Sequence, residues 1–150
     1  ILGLVGSEMC IRDRSINYGQ YSKWLTNKEI NTANAISHAA CAVSRSQRIG
    51  VLATMTHSGY TARMAARYRP ASKIIALTPF KKTCRKLAIV WGVSPALVKN
   101  YKSADEIPDV ANEELQKLGL IKKGENFVVT GGVPVGISGT TNYLTVLTGT

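Results

Sequence analysis

Helix-like and strand-like segments alternate along this chain, which predicts an α/β fold: a three-layer α/β/α domain around a five-stranded mixed sheet whose last strand is antiparallel. Three observations carry the prediction. Apolar residues recur at helical spacing from Ile30 to Val43. Nearly continuous apolar runs at Ile49–Met55 and Lys73–Leu77 read as strands buried on both faces of a parallel sheet. The last two strand-like runs have no helix between them, so they pair as an antiparallel hairpin.

Taken in order, Ser15–Lys28 is polar with scattered aromatics (Tyr18, Tyr21, Trp24) and reads as a linker or docking segment. Thr26 or Asn27 then caps a helix whose apolar stripe is Ile30, Ala33, Ile36, Ala40 and Val43. Its many alanines permit close packing. After the first strand, Ser58–Tyr68 reads as a helix ended by Pro70, and Lys73–Leu77 as the second strand. Thr78 and Pro79 read as an N-cap and a first helical proline, opening a basic helix over Phe80–Trp91 with Leu87 and Val90 inward. Val93–Lys99 makes the third strand. Ala104–Leu118 is the fourth helix, with Asp105, Glu106, Asp109, Glu113 and Glu114 in its early turns, where the helix dipole favours negative charge. Gly119 ends it. Asn126–Thr130 and Tyr143–Leu147 flank a Gly- and Pro-rich loop, Gly131–Asn142. Neither an internal repeat nor a second domain is visible.

Ile1–Arg14 starts with an apolar run, but that run is short and lacks the basic flank of a secretory signal. Leu4–Arg14 reads instead, in a single frame, as the translation of a transposase-type sequencing adaptor. The expected organisation is an artefactual leader over 1–14, a linker over 15–28 and a globular domain over 29–150.

Charge and composition bound the function. The chain has 150 residues, 45% of them hydrophobic, enough for one packed domain. Its formal net charge is +10. Setting aside Ile1–Arg14 removes Arg12 and Arg14 together with Glu8 and Asp13, so the charge is unaltered. Between Ile30 and Ala104 there are twelve basic residues and no acidic one. An anionic partner is expected: nucleic acid, a phosphorylated metabolite or an acidic protein surface. Arg45/Arg48, Arg63/Arg67 and Lys82/Lys86 read as solvated faces of different helices, without the aromatic-basic pattern of an RNA binder, so nucleic acid is not the expected partner. No apolar run reaches the roughly 20 residues of a membrane-spanning helix. Cys10, Cys41 and Cys84 have neither disulfide-framework nor zinc spacing, which fits a reducing, cytoplasmic setting.

Two loops concentrate the available chemistry. Thr56, His57, Ser58, Gly59, Tyr60 and Thr61 run from a buried strand into a helix start, where free N–H groups and the helix dipole favour an anion. An ordinary capped helix start is the alternative reading. The second loop includes Gly136, Ser138, Gly139, Thr140 and Thr141 and leaves its strand on the same sheet edge, where ligands of open α/β sheets bind. Catalytic groups are scarce. His38 reads as packed or solvent-facing, Cys41 and Cys84 as core thiols, and no P-loop or dinucleotide fingerprint is present. The residues point to binding, with no catalytic residue and no metal ligand in this chain.

Several ordered motifs resemble the C-terminal domain of pyruvate kinase: Thr56–Arg63, Tyr68-Arg69-Pro70, Ile74–Pro79, Leu87–Val93 and Gly139–Asn142. The similarity is collinear from about Asn31 to the end. It implies a parent enzyme that transfers phosphate from phosphoenolpyruvate to ADP in the cytoplasm, using Mg2+ and K+ bound in barrel and lid domains that this chain lacks. It also implies that the fragment alone is inactive, holding instead an allosteric effector site and one subunit interface of a homotetramer. By resemblance, the loop matching Thr56–Thr61 wraps an effector phosphate and the loop matching Gly132–Thr141 closes over its sugar. No counterpart of the Trp or Arg that meets a second phosphate in fructose 1,6-bisphosphate-responsive relatives is found in Asn100–Glu114. A monophosphate such as a sugar phosphate or AMP is therefore as compatible as a bisphosphate, and a domain without regulation, a free-standing sugar-phosphate module and a nucleic-acid-binding module stay as alternatives.

Overall fold

The computed structural model describes residues 31–150. The leader expected over 1–14, the linker over 15–28 and the caps Thr26 and Asn27 lie outside the described residues.

Helix α1 (Thr32–Ser46) starts later than the expected caps imply, because Asn31 is extended and its side chain accepts the Asn34 N–H at 2.8 Å. The buried face is also rotated from the expected stripe. It comprises Ala33, Asn34, Ser37, Ala40, Cys41 and Ser44, whereas Ile36 and Val43 are only half-buried. The reason is the neighbour: helix α2 (Tyr60–Arg67) presents Thr61, Ala62, Ala65 and Ala66, and small residues on both sides let the backbones approach. Some of the polar groups trapped there find partners. Tyr68 donates to the Asn34 carbonyl at 3.1 Å, and the Ser72 hydroxyl to that of Ser44 at 3.1 Å.

The strands are β1 (Val51–Met55), β2 (Lys73–Thr78), β3 (Val93–Leu97), β4 (Asn126–Gly131) and β5 (Tyr143–Thr148). They form a five-stranded sheet in the order β3-β2-β1-β4-β5, parallel except for the β4–β5 hairpin. Register sets the faces: Leu52 lies beside Ile74 and Val128, and Ala53 beside Ile75 and Val129. Alternate residues therefore feed two cores. Leu52, Ile74, Ala76 and Val128 pack with α1, α2 and Leu87. Val51, Ala53, Met55, Ile75, Leu77, Phe127 and Val129 pack on the other face against Ile107, Val110, Ala111 and Leu115. Those four belong to helix α4 (Ile107–Lys117), so the expected three layers form.

Other helix boundaries differ from expectation too. Thr78 stays in β2, paired with Leu97, and its hydroxyl accepts the Phe80 N–H at 3.3 Å. Phe80 takes the cap position, so helix α3 spans only Lys81–Leu87. The chain then turns and enters β3 through Gly92 at φ +71°. Leu87 is fully buried and Val90 half-buried. Cys84 is half-buried too, unlike Cys41, so only one of the two expected core thiols is one. The segment before α4 opens with a 3-10 turn, Ala104–Glu106, held by a capping box in which the Glu106 carboxylate accepts the Ser103 N–H at 3.1 Å. Gly119, at φ +68°, follows the end of α4.

Candidate functional site

Because β1 and β4 are adjacent and parallel, with Thr54 beside Thr130, both candidate loops leave the sheet side by side from carboxyl ends. Gly59 occupies the N-cap of α2 at φ +85°, a conformation that favours glycine, and a Cβ there would lie 3.0 Å from the Leu87 side chain. No side chain caps the helix, so neither Ser58 nor Thr61 is spent as a cap, contrary to the ordinary-cap alternative. Instead the Thr56 hydroxyl accepts the Gly59 N–H at 2.8 Å, and the Thr83 hydroxyl donates to the His57 carbonyl at 2.7 Å. These bonds hold the loop, and the first-turn N–H groups of α2 have no intrahelical acceptor.

The second loop is pinned at its neck and folded over the first. Asn142 clamps Val133, accepting its N–H at 2.8 Å and donating to its carbonyl at 2.6 Å. Gly132 allows the close pass, since a Cβ there would collide with the Thr140 carbonyl. Two hydroxyl pairs join the loops, Thr61 with Thr141 and Ser58 with Ser138, both at 2.9 Å. Thr61 and Thr141 are buried, whereas Ser138 and Gly139 are exposed. Gly136 and Gly139 have φ of +95° and +86°, so the tip turns where L side chains would be strained.

Between the loops lies a polar cleft with a cavity volume of about 20 Å³, room for about one water. Of the expected residues, Thr56, His57, Ser58, Tyr60, Thr61, Gly136, Ser138, Gly139 and Thr140 line it. Gly59 and Thr141 do not line it. Tyr101 and Met55 also line it and were not among the expected site residues, whereas Gly132 and Ile137 line it from within the expected loop Gly131–Asn142. Tyr101 was within reach of the strand-end rule, since it follows β3 on the same side of the sheet. Its ring centroid lies 5.1 Å from that of His57, and Phe80 lies 5.4 Å from His57 on another side. Burial holds the His57 imidazole below its ordinary pKa of 6.5, so the ring is neutral at pH 7. His38 is exposed and packs beside Tyr68 at 5.2 Å. No group of three or more His, Cys, Asp or Glu able to hold a metal occurs among the described residues. None of the described helices is long and apolar enough to cross a membrane.

Known proteins resemble this chain along most of its length. The family model "Pyruvate kinase, alpha/beta domain" matches residues 34–147. The pyruvate kinase of Clostridium acetobutylicum is 36% identical over 135 residues, covering 89% of this chain and 28% of that protein. Those of two Staphylococcus aureus strains are 36% identical over 128 residues, covering 83% of this chain and 22% of the relative. The chain thus spans about a quarter of the length of these relatives. Among solved structures, a Cryptosporidium parvum pyruvate kinase in complex with ADP superposes with a TM-score of 0.79 over 92% of this chain and 28% of that one, at 23% identity. A second structure from that organism gives 0.77. At that identity the superposition speaks for the fold, and the family match for descent: the chain belongs to the pyruvate kinase family, as its C-terminal α/β domain.

Proposed function

We propose that this domain is the regulatory and subunit-interface part of a cytoplasmic pyruvate kinase and that its cleft binds a phosphorylated effector, a sugar phosphate or AMP. The observation that supports this reading is the meeting of two hydroxyl-rich loops at the amino end of α2, beside the Gly59 cap, where a phosphate finds N–H donors, a favourable dipole and the hydroxyls of Ser58 and Thr61. The parent enzyme would transfer phosphate from phosphoenolpyruvate to ADP. Its Mg2+ and K+ belong, on this reading, to parts outside this chain. The fragment alone is inactive on this reading, and in the parent it contacts other subunits of a homotetramer.

Titrating the full-length enzyme with phosphorylated sugars and with AMP, while following its phosphoenolpyruvate saturation curve, tests the site. Ser58→Asp places a carboxylate where the phosphate would sit, and the expected result is loss of effector activation in a protein with an unchanged far-ultraviolet spectrum. Activation that survives Ser58→Asp and Thr61→Asp would remove the cleft from consideration.

A further inference from the structure

We propose that the outer face of helices α1, α2 and α3 is a binding surface for single-stranded nucleic acid, held through its phosphates. This goes beyond the effector reading and does not depend on it. On sequence the basic pairs belong to separate helices, but the fold brings those helices into one layer: Ala40 and Cys41 of α1, Ala62, Ala65 and Ala66 of α2 and Leu87 of α3 pack into the same core on one side of the sheet. Their outward residues therefore share a surface. Arg45, Arg63, Lys81, Lys82, Arg85 and Lys86 are exposed there, and the chain from Asn31 to Ala104 supplies no carboxylate to offset them. Lys82, Arg85 and Lys86 stand three and four positions apart, on one side of α3.

The complement has to come from outside the chain. The acidic residues of the described chain number six and occupy the stretch Lys99–Glu125 together with five lysines, and Glu113 and Glu114 are paired with Lys99 and Lys117. A second copy thus offers no anionic face to match. A bilayer fits less well, because an interfacial helix inserts a stripe of large apolar side chains, whereas the exposed positions of α1 and α2 other than arginine are Thr32, Ala35, His38, Ala42 and Ser46. A phosphate backbone needs only the cations. Phe80 adds the other element of a single-strand surface: it directly precedes Lys81, is 48% exposed and belongs to neither core, so a base can stack on it.

Fluorescence anisotropy of a labelled oligothymidylate of about twenty nucleotides, titrated with the 150-residue chain over a range of salt, tests the surface. With about four phosphates neutralised, log K should fall against log salt with a slope of about −3, a loss of roughly fiftyfold between about 0.05 and 0.2 M. Lys82→Glu with Lys86→Glu should weaken low-salt binding about tenfold and flatten the slope by about 1.4. Lys122→Glu with Lys123→Glu alters the net charge equally, in the turn before β4, and should leave affinity within about twofold. Phe80→Ala should weaken binding severalfold at an unchanged slope. All five side chains are exposed, so the variants' urea midpoints should match that of the unaltered chain. Equal losses from the two lysine pairs would reduce the effect to net charge and overturn the surface. So would the absence of binding, or capture by phosphatidylglycerol vesicles in place of the oligonucleotide. None of these outcomes touches the effector reading.

Discussion

Ser37 is fully buried in α1, and its hydroxyl has no hydrogen-bond partner among the described residues. An orphaned buried hydroxyl is costly, and alanine is both smaller and the better helix former. Ser37→Ala is expected to stabilise the domain by about 1 kcal/mol, read from the urea midpoint at constant slope. His57 makes a prediction of opposite character. Burial lowers its pKa in the folded chain, so below about pH 6.5 the unfolded chain binds the proton more readily. Its contribution to stability is whole above that pH and falls as the pH drops, until the folded form protonates too. Urea midpoints should decline as the pH falls through about 6.5, and His57→Gln should flatten that decline. The exposed Glu106 and Glu113 carboxyls, held below their ordinary 4.5 by bonds from the Lys102 backbone and from Lys99 respectively, act only in a more acidic window.

At the scale of elements, α3 shows how a short helix positions a loop. With seven residues, four of them basic, it has little intrinsic helical stability. Leu87 anchors it: the side chain is fully buried and supports Gly59 from below. Leu87→Ala should destabilise the domain by about 2–5 kcal/mol and loosen the Thr56–Thr61 loop, which amide exchange at Gly59 and Tyr60 would register. The strands were legible because uninterrupted apolar runs have few alternatives to burial on both faces. Helix ends were less so: Thr78-Pro79 carries the residue types of a helix start, yet β2 keeps Thr78 because pairing with β3 continues one residue further. The α1 stripe was misread for a related reason. Hydropathy favours Ile36 and Val43, but close approach to α2 selects the small residues Ala33, Ser37, Ala40 and Ser44.

Across the whole molecule, charge is the distinctive quantity. Arg45, Arg63, Arg67, Lys82, Arg85 and Lys86 are all exposed, spread over three helices, and within the described residues ion pairing is confined to Lys99–Glu113 and Lys117–Glu114. At a net charge of +10, self-repulsion opposes compaction and salt relieves it. Raising salt from about 0.02 to about 0.5 M, which shortens the screening length to a few ångströms, should raise the urea midpoint. A midpoint that fell instead would mean that attractive pairs outweigh the repulsion.

The sequence by itself determined the layered α/β architecture, the antiparallel last strand, both loops and the family, because hydrophobic periodicity and the ordered motifs are local properties of the chain. Only the tertiary structure decided that the loops touch, through hydroxyl pairs eighty residues apart, and that Tyr101 lines the cleft between them. Those contacts arise from the placement of β1 beside β4 and of α3 beneath the Gly59 turn. No local pattern encodes which strand ends become neighbours; the pairing of the whole sheet does.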